Sequence, residues 1–302
     1  MTKGIEIGLL HPGAMGHVVG GLAVRAGARV SWVSEGRSAE SRQRAERCGF
    51  SDMGSLAALV SGVDMILSIC PPDAAVDVAR AVAGGGFSGL YVDANAVAPS
   101  TVRQVASIVE QGGGRVVDGG IIGPPPTGAG MTRLYVSGTE TDRVVELFAG
   151  TPLNVVAIAR EVGAASALKM CYAAYTKGSA ALLIAIRALA AAEGIDQTLL
   201  QEWAVSQPGL AERSQRSASR NAGKAWRYAG EMREIARSFE ERGLPGGFHR
   251  GAADVYEALA PFKNAETAPG LEAAVRQLLG SRKSRAATAG RQPETGVSTR
   301  NR

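Results

Sequence analysis

Residues 8–16 read Gly-Leu-Leu-His-Pro-Gly-Ala-Met-Gly, between an apolar run at 5–10 and a stretch at 15–25 whose apolar positions recur at helical spacing. A glycine-bearing turn between a strand and a helix is where a backbone can approach a phosphate while the first helical N–H groups face its charge. The pattern G-x-G-x-x-G puts glycines at 11, 13 and 16; here Gly13 and Gly16 are present and His11 holds the first place. In this strand-turn-helix setting His11, Pro12, Gly13, Ala14, Met15 and Gly16 are expected to cradle the pyrophosphate of a nicotinamide dinucleotide. His11 reads equally well as a phosphate donor or as a residue that merely fits the turn.

The end of the second strand selects the dinucleotide. An acidic side chain there binds the adenosine ribose of NAD. In this chain the corresponding place is Ser34, followed by Glu35, Gly36, Arg37 and Ser38. A serine with a guanidinium three residues on suits the extra 2′-phosphate of NADP, because arginine grips phosphate with two parallel donors. The expectation is NADP over NAD, with Ser34, Arg37 and Ser38 at the phosphate. Glu35 as the ribose acid, and Arg37 as part of a solvated helix face with Arg42, Arg44 and Arg47, are the competing readings.

Elements that would hold these residues alternate along the first half. Strands are expected at 28–33, 64–69, 90–93, from 116, at 134–137 and at 154–158, and helices at 38–48, from Pro72 and at 99–111. Strand and helix in turn, with short connections, predict a parallel, doubly wound Rossmann-type sheet. After Gly163 the texture changes: residues 164–193 are compatible with one long helix, and helical stretches follow at 196–207, 225–242 and 248–260. The organisation expected is a dinucleotide-binding α/β domain over 1–160, an all-helical substrate and dimerisation domain over 161–280, and a basic, disordered tail over 281–302.

Five segments carry a resemblance: the turn HPGAMG, SICPPDA at 68–74, VDANAVAP at 92–99, DGGIIGPPP at 118–126 and GAASALKMCYAAYTKG at 163–178. Over roughly residues 4 to 265 the chain resembles the β-hydroxyacid dehydrogenase superfamily, which includes 3-hydroxyisobutyrate and 6-phosphogluconate dehydrogenases, and most of all a phosphogluconate-dehydrogenase-like branch. The family's catalytic acid/base is a lysine six residues after a glycine at the head of the interdomain helix; Gly163 and Lys169 match it. Partial desolvation would lower the lysine pKa toward the working pH. Without the resemblance, Lys169 reads as a side chain snorkelling from an apolar helix. Where the family often has Asn four residues on, this chain has Ala173; Tyr172 and Thr176 stay near the Lys169 face and are candidates to position substrate, with Lys177 a weaker one.

The resemblance also implies that Cys70 and Pro71 border the cofactor and that Asn95 stands near the nicotinamide ribose. The family's carboxylate-binding segment, Asp-x-Pro-Val-Ser-Gly-Gly, is here Asp118-Gly-Gly-Ile-Ile-Gly-Pro124. Ile122 replaces the serine, leaving Ile122 and Gly123 as substrate-side residues for something other than a simple 2-methyl-3-hydroxy acid. Glu231 stands near the place of the family's later Lys-Asp pair. His249 starts a helix, where it reads as a substrate residue or as a capping or core histidine.

Charge adds no nucleic-acid partner. The net charge is +5, and from Ser281 onward six basic residues face Glu294 alone, so the tail carries the whole excess. Three widely spaced cysteines, Cys48, Cys70 and Cys171, exclude a disulfide framework or a zinc site and suit a reducing cytoplasm. No signal peptide or membrane span is read; the Ala-rich helix, apolar on most sides, implies an oligomer, and the resemblance implies a homodimer. The function expected is an NADP-dependent oxidoreductase interconverting a small hydroxylated compound and its carbonyl. An imine reductase of the same architecture, or a non-catalytic NADP-binding protein, stands as the alternative.

Overall fold

The computed structural model describes residues 4–289. The chain divides into two compact units, Met1–Tyr175 with Gly230–His249, and Thr176–Ala229 with Arg250–Arg302.

The first unit holds strands β1 (Glu6–Leu10), β2 (Arg29–Trp32), β3 (Ser51–Asp52), β4 (Met65–Ser68), β5 (Leu90–Asp93), β6 (Arg115–Ile122), β7 (Thr132–Ser137) and β8 (Leu153–Ala159). They form one sheet in the order β3-β2-β1-β4-β5-β6-β7-β8. The first six are mutually parallel, and the order reverses between β1 and β4, the switch point at which doubly wound sheets open a ligand crevice. The sheet is parallel as expected except at one place, where β7 runs antiparallel to β6, with β8 parallel to β7. The reason is length: residues 123–131 are too few for a crossover, so the chain must turn straight back.

Helices α1 (Gly16–Arg25), α2 (Ala39–Arg47), α3 (Leu56–Gly62), α4 (Ala75–Gly84), α5 (Pro99–Gln111) and α6 (Thr141–Leu147) cover the sheet. Alternation along each strand sorts the core into two layers. Ile7, Leu9, Met65, Leu67, Leu90 and Val92 meet Val19, Leu22, Ala23 and Val144 on one face. Leu10, Ile66, Tyr91 and Val116 meet Leu59, Ala79, Val82 and Val105 on the other. Period-two burial on both faces, in near-continuous apolar runs, is what a parallel sheet requires.

Helix α7 (Ala164–Ala192) begins in the first unit and ends in the second. The second unit also holds α8 (Asp196–Ser206), α9 (Leu210–Asn221), the start of α10 (Ala225–Glu240), most of α11 (Gly247–Leu259) and α12 (Leu271–Ala289). Arg187 of α7, buried, donates from Nε and Nη2 to the two oxygens of Asp196 at 2.6 and 2.7 Å and from Nη1 to Ser214 Oγ at 2.8 Å. That fork joins α7, α8 and α9 and holds the Asp196 carboxyl below its usual range. Of the basic tail expected over 281–302, α12 carries helix as far as Ala289, through residues free of Gly and Pro beyond Gly280. Residues 290–302 lie outside the described residues.

Candidate active site

Across the C-terminal edge of the parallel strands runs a row of buried residues, polar on every strand after β1. Leu10, Ser68, Asp93, Asp118 and Ser137 are successive partners on β1, β4, β5, β6 and β7. Ser68, Asp118 and Ser137 are fully buried and Asp93 nearly so. The turns that follow β1 and β4 form the crevice at one end of this row; α7 starts at the other.

At the crevice end, Gly13 N donates to the His11 carbonyl at 2.7 Å, tightening the turn into α1. A Cβ on Gly16 would lie 2.4 Å from that carbonyl, so no other residue fits there. Gly13 is different: a Cβ would meet nothing nearer than 4.0 Å. No protein atom demands that glycine, whereas a ligand phosphate brought against the turn would. His11 has φ of 73°, the one non-glycine among the described residues in the left-handed region, so it occupies a backbone conformation that the pattern's glycine would adopt freely. Pro12 is buried beneath the turn, Ala14 is exposed and Met15 is half-buried. No side chain caps the start of α1; His17 N donates to the Gly13 carbonyl and Val18 N to the Met15 carbonyl, each at 3.1 Å.

Past β2, Arg37 N closes a turn onto the Ser34 carbonyl at 3.1 Å through Gly36 at φ 67°, which carries the arginine back to the crevice. His11, Arg37 and Pro71 line a cavity of about 540 Å³, with Leu56 and Val78 as apolar wall and Asp77 at its side. His11 Nδ1 and Arg37 Nε are buried without a hydrogen-bond partner. Burial, and then the Arg37 charge, hold the His11 imidazole down to about 4, so it is neutral at pH 7. Burial likewise lowers Arg37 from its ordinary value. A cleft at the switch point, an uncapped helix start, a glycine with room above it and two unpartnered nitrogens fit a dinucleotide phosphate.

Several expected cofactor residues have structural work instead. Ser34 N donates to Asp52 Oδ1 at 3.1 Å, and hydrogen bonds from Ser34 lower the Asp52 carboxyl. Ser38 is the N-cap of α2, its Oγ accepting from Ser41 N at 3.2 Å. Asn95 corrects the ribose expectation: only 2% exposed, it donates through Nδ2 to Ser68 Oγ (3.1 Å) and Asp93 Oδ2 (2.9 Å) and accepts from Cys70 N at 2.6 Å. Both amide protons are engaged, so Asn95 shapes the Cys70 turn and offers no donor to a ligand. Cys70 is half-buried, and burial together with the Asp93 charge pushes its thiol up to about 12, which leaves it unreactive.

At the other end, Lys169 Nζ donates to the Ile121 carbonyl at 2.6 Å, and the lysine is half-buried. β6 carries on past the Asp93–Asp118 register to Ile122, so this amine stands on the same edge of the sheet as the phosphate turn. Gly120 makes the approach possible: a Cβ there would lie 2.7 Å from the Ala165 carbonyl and 3.1 Å from Lys169 Cβ. Tyr172 is 46% exposed; Thr176 is exposed and belongs to the second unit, where Lys177 lies 4.3 Å from the centre of the Tyr228 ring.

Ile122, Gly123 and His249, the substrate-side candidates, each hold a place in the fold. Ile122 is buried, on the same face of β6 as Asp118 and Gly120. Gly123 is required by the hairpin: at φ 127° its Cβ would meet the Met131 carbonyl at 2.4 Å. His249 is likewise a core residue, 6% exposed, with ring centroids 4.4 Å from Phe239 and 5.3 Å from Phe248. Sequence reasoning missed Glu234. Buried, it accepts from Ala98 N at 2.8 Å and Thr101 Oγ1 at 2.6 Å, capping α5 from α10; a lone glutamate in a helical run gives no sign of that.

The sheet order and its switch point define a doubly wound α/β fold with the architecture of the 3-hydroxyacid dehydrogenases. Among solved structures the chain is similar to the Mycobacterium tuberculosis 3-hydroxyisobutyrate dehydrogenase with L-serine (TM-score 0.63, 19% identity, 91% of this chain and 99% of that one). It is also similar to the conserved protein MTH1747, whose structure is described as resembling 3-hydroxyacid dehydrogenases (TM-score 0.61, 24% identity, 86% and 100%). A reductive aminase from Aspergillus terreus in complex with NADPH and ethyl levulinate shares the fold more loosely (TM-score 0.53, 17% identity, 93% and 100%). These likenesses bear out the fold that the resemblance implied. Residues 190–259 match the model of a domain of unknown function, DUF1932. An uncharacterized 28.5 kDa protein of Methanothermus fervidus is 31% identical over 169 residues, which span 55% of this chain and 64% of that relative. Among the described residues no helix is long and apolar enough to cross a membrane.

Proposed function

We propose that the chain is an NADP-dependent oxidoreductase that interconverts a small hydroxylated compound and its carbonyl, with Lys169 as general acid/base. The observation that carries this is the Lys169 amine bonded to the Ile121 carbonyl on the crevice edge of the sheet, at the spacing from Gly163 that the family uses. The bound nicotinamide supplies the acceptor or donor of a hydride at carbon. In oxidation, neutral Lys169 Nζ takes the hydroxyl proton as the C–H hydride leaves; in reduction the ammonium returns it to the carbonyl oxygen. The turn at residues 11–16 holds the pyrophosphate, and Arg37, carried back into the crevice, meets the 2′-phosphate, which favours NADP over NAD. Tyr172 orients substrate beside the amine. Buried Ile122, without the family's serine hydroxyl, points to a substrate bulkier or less acidic than a simple 2-methyl-3-hydroxy acid.

The chain works as a homodimer in the cytoplasm. Support for the dimer is the exposure of Leu168, Tyr175, Leu182 and Leu189, seven residues apart along α7, the spacing of a helix–helix seam. The helical residues after the first unit serve substrate binding and this assembly.

The second reading, an imine reductase, is favoured by exposed Tyr172 one turn from Lys169 and by the fold shared with a reductive aminase. The test is NADPH and NADH binding and turnover on aldehydes, keto acids and cyclic imines, for the wild type and Lys169→Met. Carbonyl turnover that Lys169→Met abolishes supports the dehydrogenase. Imine turnover that survives it supports the second reading, and binding without turnover on any probe leaves an NADP-binding protein.

A further inference from the structure

We propose that Asp118 is the positioning residue for Lys169: its carboxylate fixes the first turn of α7 on β6 and so sets where the amine stands. The proposal rests on the reading of Lys169 as acid/base.

Asp118 is fully buried, and no arginine or lysine is paired with it in the described structure. Its Oδ2 accepts from Ser137 Oγ (2.9 Å), Gly163 N (2.9 Å) and Ser166 N (3.0 Å), and its Oδ1 from Ser166 Oγ (2.6 Å). Ser137, its partner in register on β7, accepts in turn from Ala165 N at 3.1 Å. Three orphan N–H groups of one helix start are therefore held by two side chains that face each other across β6 and β7. A single exposed Ser or Thr cap, or water, would have satisfied the same N–H groups more cheaply than a buried charge. What the carboxylate adds is a fixed register between strand and helix.

The register matters because of helix geometry. Lys169 lies three residues beyond Ser166, and a slip of one residue at the cap would turn it by about 100° and shift it by about 1.5 Å. Gly120 lets α7 lie close against β6 at Ala165 and Lys169, so the rotation set at the cap carries directly to the lysine.

The experiment compares Asp118→Asn, Ser166→Ala, Lys169→Met and the double variant Asp118→Asn/Lys169→Met. Its readouts are NADPH-driven reduction of pyruvate, glyoxylate and propanal, NADPH affinity, and amide hydrogen exchange over residues 163–169. Asparagine turns an N–H₂ toward groups that are themselves donors. Expected is a fall of about 100-fold in kcat for Asp118→Asn, the scale of a 1 Å misplacement, with NADPH affinity kept and exchange in the first turn of α7 quickened. Adding Asp118→Asn to Lys169→Met should cost nothing further. Ser166→Ala, milder and safer for folding, should move kcat and exchange in the same direction. Unchanged exchange in Asp118→Asn, or an equal loss of turnover in both backgrounds, overturns the proposal. If Lys169→Met alone keeps full turnover, the acid/base reading has failed instead; exchange at residues 163–169 still decides whether Asp118 sets the register of α7.

Discussion

Lys169 Nζ donates to the Ile121 carbonyl across 2.6 Å, joining the first turns of α7 to the overhanging end of β6. The amine thus has a resting place on the crevice edge of the sheet. Replacing Lys169 with Met keeps the length and apolar stem of the side chain and removes the proposed proton carrier. Turnover on the carbonyl probe that works best is expected to fall by roughly 10²- to 10⁴-fold, with NADPH affinity unchanged. Steady-state kinetics beside fluorescence titration of NADPH check both halves.

The two glycines of the phosphate turn should separate cleanly. In Gly16→Ala the new methyl carbon meets the His11 carbonyl at 2.4 Å, so both folding stability and dinucleotide binding should suffer. Overpacking of this kind costs about 1–3 kcal/mol. In Gly13→Ala nothing in the protein lies closer than 4.0 Å, and the free protein should lose no stability, while binding weakens. Thermal melts with and without NADP read both; a Gly13→Ala protein that binds as the wild type does would mean that no ligand approaches this turn.

Gly120→Ala probes the far end of the site. A methyl group 2.7 Å from the Ala165 carbonyl must push α7 off β6. The expected cost is about 1–3 kcal/mol in stability, together with a fall in kcat larger than any change in KM. Chemical denaturation and kinetics at saturating NADPH measure the two effects.

Much of this was legible in the sequence, for local reasons. The edges of β5 and α5 follow from an apolar run and from a proline in a first helical turn, which need only neighbours along the chain. The helix over Ala164–Ala192 was legible because it holds no proline and only Gly178 interrupts its helix-forming residues. What escaped depends on partners distant in sequence. β3 is two exposed residues with no apolar pattern. Glu234 caps α5 from more than a hundred residues away. The engagement of Asn95 with Ser68, Asp93 and Cys70 is visible only once β4 and β5 lie side by side.

Two buried groups give opposite pH dependences. His11 has a folded pKa of about 4 against an ordinary 6.5, so between those values the unfolded chain binds the extra proton and stability falls as pH falls. His11→Gln should remove that loss, leaving the variant relatively more stable near pH 4 than near pH 7. Asp93 has a folded pKa of about 7 against an ordinary 3.8, so its contribution is present below pH 3.8 and is lost as pH rises toward 7. Asp93→Asn should gain on the wild type as pH rises across that window. Urea unfolding at stepped pH reads both slopes, and parallel curves for variant and wild type would refute the assignment.

The proposed preference for NADP rests on Arg37. Arg37→Ala should shrink the difference between the thermal shifts produced by NADP and NAD at equal concentration, leaving the NAD shift nearly as it was. An unchanged difference would place the 2′-phosphate elsewhere.

The proton-carrier role of Lys169 is tested most directly by a crystal structure with NADP and a non-reacting keto acid or ketone bound. The prediction is that Lys169 Nζ leaves the Ile121 carbonyl and stands about 2.6–3.2 Å from the ligand's carbonyl oxygen, with nicotinamide C4 facing the carbonyl carbon. A ligand seated over the ring while Nζ stays on Ile121, out of hydrogen-bond reach and with no water between them, would contradict it.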